Sequence, residues 1–224
     1  MYVIYPQVIL EDFTDNPLQL IARAGRTCYQ SQKLSGEEEF FKMLLERGHF
    51  SVLEHVKFTF RIICNRGCSH ELVRHRLASF SQESTRYVSY KKGFTVCLEP
   101  QIEIPTGEYE LMQLGNAEAP LYKTPDKKFR MLPHHSDMLV AWLQAERAYK
   151  RLREMGVDTD TARYVLPLAL KTELVMTANL REWLHFVNLR YSDKAHPMIR
   201  GVASHVLTNI YATLGITFSI PETI

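Results

Sequence analysis

The chain has 224 residues, of which 46% are hydrophobic and 23% charged, as in a globular protein with room for one sizeable core or two small ones. Its 27 basic and 25 acidic residues leave a net charge of +2, too balanced for a general nucleic-acid or membrane-surface binder, which carries a clustered basic excess. No apolar run approaches the roughly 20 residues of a membrane helix, and MYVIYPQVIL has neither a basic leader nor a cleavage site, so the expected compartment is the cytoplasm.

Tyr2 to Leu10 is a strand interrupted by Pro6, hence an edge or an irregular strand. Asn16-Pro17 opens a helix with proline in its first turn, carried through Leu20, Ile21 and Ala24 toward Tyr29. Ser35 ahead of Gly36-Glu37-Glu38 approaches a capping pattern; Phe40, Phe41, Leu44 and Leu45 have helical spacing, and Gly48 closes the helix. His49 to His55 is a short connection holding Ser51, Glu54 and two histidines. Lys57, Thr59 and Arg61 then alternate with Phe58, Phe60 and Ile62, the clearest strand in the chain. Asn65-Arg66-Gly67 turns out of it, with Ser69 near the cap of the next helix.

The stretch HELVRHRLASFSQESTRY, from His70 to Tyr87, concentrates three arginines, two histidines, two glutamates, a glutamine and several hydroxyls. A helix over His70 to Ala78 sets Glu71, Arg74, His75 and Ala78 on one face, with Arg76 pointing away from Arg74. Arginine suits planar, bidentate recognition of phosphate or carboxylate, and backbone amides at a turn can complete an anion cradle. A solvated arginine helix joined to a Ser/Thr loop is the bland alternative, and the residues alone leave both open.

Tyr87 to Cys97 follows as a strand, with Gly93 a bulge. Pro100 to Phe129, with its Gly, Pro and Lys, is expected to be a variable excursion with at most short elements. Ser136 to Met155 is a long amphipathic helix on Leu139, Val140, Leu143, Ala148 and Leu152, ended by Gly156. Asp158-Thr159 starts a short helix containing Arg163, and Pro167 interrupts the pattern. From Thr172, Leu180, Leu184, Val187 and Tyr191 form an apolar stripe, with Arg181, His185 and Asn188 on another face. Ala195 to Leu214 is a last helix. The sum is an α+β fold, a small mixed or antiparallel sheet with several long helices, in a single domain over residues 1–224 with a variable excursion around residues 100–133.

Neither GxxxxGK[ST] nor GxGxxG occurs, and nothing resembles a nucleophile elbow. Cys28, Cys64, Cys68 and Cys97 make no paired CxxC knuckle and are expected as reduced, mostly packed thiols. His134-His135 lack carboxylates at helical spacing, so no metal site is expected. His49, Glu54 and His55 suit ligand or acid/base roles, or equally a turn held by side-chain hydrogen bonds.

Arg74-His75-Arg76, with Ser84 after seven intervening residues, resembles the signature of the flavin-dependent thymidylate synthases. Other segments resemble that family in the same order: Ala24-Gly25-Arg26-Thr27-Cys28-Tyr29, Gly48-His49 with Leu53-Glu54-His55, Phe58-Thr59-Phe60, Ala162-Arg163-Tyr164-Val165-Leu166-Pro167, Asn179-Leu180-Arg181 and Asn188-Leu189-Arg190. The resemblance implies an α+β homotetramer with FAD bound between subunits. It implies C5 methylation of dUMP to dTMP, methylenetetrahydrofolate giving the carbon and NADPH the electrons, with no nucleic-acid or membrane partner. It puts His49, Glu54, Arg74, His75, Arg76, Asn179, Arg181 and His185 in the flavin environment. Glu71, Gln82, Glu83, Ser84, Arg86, Arg163 and Arg190 fall at the dUMP site or its border, with Arg190, Ser84 and Arg86 nearest the chemistry. No base adjoins Ser84, which therefore reads as a phosphate or ribose donor rather than a nucleophile. His185 stands where many members carry asparagine. Two other functions stand beside this one: C5-hydroxymethylation of a pyrimidine nucleotide, and a non-enzymatic nucleotide- or RNA-binding module with strongly salt-dependent affinity.

Overall fold

The computed structural model describes residues 1–29, 36–114, 116–124, 129–131, 136–222 and 224. In chain order the strands are β1 (Tyr2–Ile4), β2 (Gln7–Phe13), β3 (Lys57–Asn65), β4 (Ala78–Gln82), β5 (Thr95–Cys97), β6 (Gly107–Leu114), β7 (Ala117–Lys123), β8 (Phe129–Met131) and β9 (Lys171–Asn179). The helices are α1 (Pro17–Tyr29), α2 (Glu37–Glu46), α3 (Arg66–Leu72), α4 (Ser136–Glu154), α5 (Thr159–Ala162), α6 (Leu180–Arg190) and α7 (Pro197–Leu214). The fold is α+β, as expected, with two sheets rather than one among the described residues. Among the described residues no helix is long and apolar enough to cross a membrane.

The chain gathers into two compact units whose boundaries fall between β1 and β2 and inside β3, α3, β4 and β9. The first comprises Met1–Pro6, Ile63–Ser69 and Gln82–Glu173. Its mixed sheet has the order β5-β1-β6-β7-β8, with β1 parallel to β5 and the other pairs antiparallel. The α4 helix packs on β6 and β7, and Val3, Phe94, Val96, Tyr109, Leu139 and Tyr149 lie in the core. The expected excursion contains a hairpin with strands longer than the short elements expected: β6 and β7 pair from Glu108↔Lys123 to Leu114↔Ala117. Apolar alternation does not announce it, because Tyr109 is the one fully covered side chain of β6 and Pro120 sits within β7. The strand expected over Tyr87 to Cys97 shrinks to β5. Its first residues form a turn, in which Ser84 O accepts from the amides of Tyr87 and Val88 at 3.2 and 2.9 Å. Gly93 is not a bulge: its φ is 113°, and a Cβ there would stand 2.7 Å from Glu146 Oε1, which accepts from Phe94 N at 3.0 Å.

The second unit comprises Gln7–Ile62, His70–Ser81 and Leu174–Ile224. Its strands belong to the sheet ordered β2-β3-β9-β4. Pro6 ends β1, and β2 joins this other sheet, so the single irregular strand is two short ones. Strand β3 keeps its strict alternation, with Phe58, Phe60 and Ile62 fully buried. Thr59 and Thr177 share a hydroxyl hydrogen bond of 2.9 Å. Trp183 of α6 packs edge-to-face on Phe60 at 4.9 Å and donates its Nε1–H to Phe58 O at 3.0 Å. Helix α1 starts at Pro17 as expected, behind Asn16 at φ 47°, a conformation asparagine tolerates. Gly36 is the N-cap of α2; the cap expected at Ser35 lies outside the described residues.

The helix expected over His70 to Ala78 lies elsewhere. It starts at Arg66, where Asn65 Oδ1 accepts from Cys68 N at 2.8 Å, and stops at Leu72. Ala78 to Gln82 is strand β4 at the edge of its sheet, because pairing beside β9 outweighs the weak local preference of a hydroxyl-rich segment. Strand β9 itself precedes the expected apolar stripe. Its Thr172, Leu174, Met176 and Ala178 alternate with half-buried neighbours before Asn179 caps α6.

Candidate active site

Helix α2 ends in a Schellman closure: His49 N donates to Leu44 O at 2.9 Å and Gly48 N to Leu45 O at 3.1 Å, with Gly48 at φ 71°. The chain then runs as a 3-10 segment, Phe50–His55. That reversal sets His49, Phe50 and Ser51 on the wall of a cleft of about 400 Å³, which Cys28 and Arg181 also line. A second cleft of about 440 Å³ is lined by Glu54, Leu77, Asn179, Arg181, Glu182 and His185. Arg181 thus faces both. Its Nη1 donates to Glu54 Oε1 at 2.7 Å, an exposed pair that contributes little to stability.

Asn179 begins α6 by accepting from Glu182 N at 2.9 Å. Glu182, Phe186 and Arg190 then recur every four residues, which puts them on one helix face. Their common partner is His75, buried just beyond α3. Arg190 Nε donates to His75 Nε2 at 3.1 Å, and Glu182 Oε1 lies 3.5 Å from His75 Nδ1. The Phe186 ring meets the imidazole edge-on at 5.0 Å, and the His185 ring lies at 6.2 Å. A guanidinium does not give up its proton, so Nε2 has to accept; the imidazole is neutral with its hydrogen on Nδ1, facing the carboxylate. Burial, then the charge of Arg190, then His185 push the His75 pKa down to about 4. Burial raises the Glu182 carboxyl. Arg190 Nη1 donates in addition to Glu71 Oε2 at 2.9 Å. Arg74 and Arg76 are exposed on either side of His75.

The remaining expected site residues sit in the first unit. Ser69 gives its hydroxyl proton to Arg66 O at 2.9 Å and so accepts from Gln82 Nε2, also at 2.9 Å; that nitrogen reaches Thr172 Oγ1 at 3.1 Å as well. Glu83 receives the Tyr90 hydroxyl and the Lys171 ammonium, each at 2.7 Å. Ser84 Oγ accepts from Arg86 N at 3.2 Å, which makes Ser84 a turn residue. Arg86 grips Asp160 with Nε and Nη2 at 2.8 and 3.2 Å, and that bond holds the Asp160 carboxyl below its usual range. The Arg163 guanidinium lies 5.8 Å from the centroid of the Tyr164 ring.

The structure therefore collects His49, Glu54, Glu71, Arg74, His75, Arg76, Asn179, Arg181, His185 and Arg190 in one unit, and Gln82, Glu83, Ser84, Arg86 and Arg163 in the other. Sequence reasoning missed Glu182, whose signal was its spacing of four and eight from Phe186 and Arg190. It also missed Asp160, Lys171 and Tyr90, which only the fold brings to Arg86 and Glu83. The four cysteines are free, with Cys64, Cys68 and Cys97 buried. Neighbouring Cys68 and burial push the Cys64 thiol far up, and burial takes Cys97 to about 12, so neither is a thiolate near neutral pH. Among the described residues no group of three or more His, Cys, Asp or Glu could hold a metal ion; His134 and His135 lie outside them.

Residues 9–214 match the family model described as thymidylate synthase complementing protein. A protein of Geobacter sulfurreducens is 34% identical over 212 residues, covering 90% of this chain and 80% of its own. One of Pyrococcus furiosus is 34% identical over 211 residues, covering 90% and 77%. One of Mycobacterium sp. (strain JLS) is 33% identical over 230 residues, covering 97% and 85%. All three bear the name flavin-dependent thymidylate synthase.

Proposed function

Because the chain belongs to the thymidylate synthase complementing protein family, we propose that it methylates C5 of dUMP to give dTMP with FAD as its cofactor. On this reading methylenetetrahydrofolate supplies the carbon and NADPH the reducing equivalents. The observation that carries it is the fixed guanidinium of Arg190, which donates to His75 of the Arg74-His75-Arg76 signature and to Glu71. A donor fork held in place suits a uracil carbonyl, where negative charge gathers as C5 becomes nucleophilic.

The residues present fit a flavin dinucleotide. Arg181 is a permanent cation lining two clefts, of about 400 and 440 Å³, each the size of a small-ligand site. His49, Glu54, Asn179 and His185 share those walls and would hold the flavin, with the exposed Arg74 and Arg76 in its environment and His75 buried between them, its ring nitrogens turned to Arg190 and Glu182. The flavin, when bound, supplies the hydride chemistry. Arg86 engages a carboxylate with two donors, the geometry that also suits phosphate. We assign Arg86, Arg163 and Ser84 to the phosphate and ribose, and Glu71, Gln82 and Glu83 to the border of the nucleotide site. We place the protein in the cytoplasm, its 224 residues acting as one catalytic domain within a homotetramer. Exposed Leu77, Tyr87, Tyr164 and Leu168 support assembly by offering apolar area for another copy to cover.

Titration of dUMP into FAD-loaded protein tests the assignment. Arg190→Ala is expected to weaken dUMP binding by about 30-fold or more and to leave FAD occupancy nearly unchanged. Arg181→Ala is expected to lose FAD first. Equal dUMP affinity in wild type and Arg190→Ala would remove Arg190 from the pyrimidine site.

A further inference from the structure

His75 has no ring nitrogen left over. Nε2 accepts from Arg190 Nε, Nδ1 faces Glu182 Oε1, and the ring is walled by Phe186 and His185 with 5% of its surface exposed. Glu182 is 6% exposed and stands one helical turn from the N-terminus of α6, where Asn179 fixes its backbone amide. Arg190 closes the far end of the same helix. Neither its bond to His75 nor its bond to Glu71 uses Nη2.

From this chain of contacts we propose that Glu182 and His75 are positioning residues for the pyrimidine, acting through Arg190. The buried carboxylate faces the imidazole N–H, the opposite nitrogen then offers its lone pair to Arg190 Nε, and Glu71 fixes Nη1. Two anchored nitrogens define the guanidinium plane and aim the Nη2 edge. A lysine or an unanchored arginine would keep the charge and lose that direction. The effect on substrate is one of orientation, so it is largest where a bidentate contact must align with a carbonyl. The proposal rests on the reading of Arg190 as the pyrimidine contact.

Four variants, assayed as FAD-loaded protein for dUMP affinity and for steady-state dTMP formation, separate this from a structural role. Glutamine places an amide oxygen close to where the imidazole carries Nε2, so His75→Gln keeps an acceptor for Arg190 while His75→Leu keeps only bulk. His75→Leu and Glu182→Ala are expected to weaken dUMP binding by about tenfold with FAD affinity within about threefold of wild type, and His75→Gln to recover most of the loss. Arg190→Ala is the reference. If it weakens dUMP but folded, FAD-bound His75→Leu and Glu182→Ala do not, the positioning role is overturned and the reading of Arg190 survives. Parallel loss of FAD and dUMP, or no advantage of His75→Gln over His75→Leu, also overturns it, since both mark a packing role. If Arg190→Ala itself leaves dUMP binding intact, the reading of Arg190 falls and takes the proposal with it.

Discussion

Acidification should weaken this protein through one imidazole. The His75 pKa falls from 6.5 to about 4 because the ring is buried, beside Arg190 and near His185. Above about pH 6.5 neither the folded nor the unfolded chain carries this proton, and the full stabilisation is present. Between about 6.5 and 4 only the unfolded chain takes it up, so stability declines as pH falls; below about 4 both take it up and the decline stops. A drop from 6.5 to about 4 corresponds to about 3 kcal/mol at 1.36 kcal/mol per pKa unit, a large part of a typical stability of about 5–15 kcal/mol. Glu182 works in the opposite sense, because burial raises its carboxyl and its contribution is lost as pH rises. The informative quantity is therefore the difference between wild type and His75→Gln, which keeps an acceptor for Arg190 and cannot titrate. Urea unfolding under saturating FAD, from about pH 7.5 to 4.5, should show wild type losing about 2–3 kcal/mol relative to the variant. Parallel stability curves would refute the neutral, buried His75 on which the site argument stands.

Trp183→Phe keeps the ring packing on Phe60 but leaves Phe58 O without its buried donor, and should cost about 1–3 kcal/mol in thermal or urea unfolding; an unchanged midpoint would mean that this bond is not formed. Replacing Cys28, Cys64, Cys68 or Cys97 singly by serine should leave dTMP formation within about tenfold, since the proposed reaction uses no protein thiolate and packing losses are the main cost. Abolished turnover in a variant that still folds and binds FAD and dUMP would restore a thiol to the mechanism. Sedimentation under saturating FAD should give a mass several times that of one chain, and a monomer would contradict the proposed homotetramer.

Much of this structure is legible in the sequence wherever one face is buried and the other is not. Phe58, Phe60 and Ile62 alternate with Lys57, Thr59 and Arg61 because β3 has one apolar face, and the helices starting at Pro17 and Ser136 announce themselves by stripe and terminal residue, while the last helix starts at Pro197, two residues after the expected Ala195. Strand β4 was illegible for the converse reason: Ala78 to Gln82 carries hydroxyls and an amide, and only its place beside β9 makes it a strand. The β6–β7 hairpin leaves no period of two, because β6 buries Tyr109 alone and β7 buries the consecutive Ala119, Pro120 and Leu121. In the site, the motif from Arg74 to Ser84 identified the segment, and spacing placed Arg181 and His185 on one face of a helix. The partnership of His75 with Arg190 spans 115 residues and depends on a helix that ends before Arg74, so no local pattern carries it.

The most direct test of the whole account is the product formed by the purified protein given dUMP, methylenetetrahydrofolate, NADPH and FAD. Chromatography with mass detection should show dTMP, formed only when all four are present, with bleaching and return of the oxidised flavin spectrum during turnover. Hydroxymethyl-dUMP as the product would contradict the assigned reaction, and FAD-loaded protein that binds dUMP yet makes neither product would contradict the assigned catalysis.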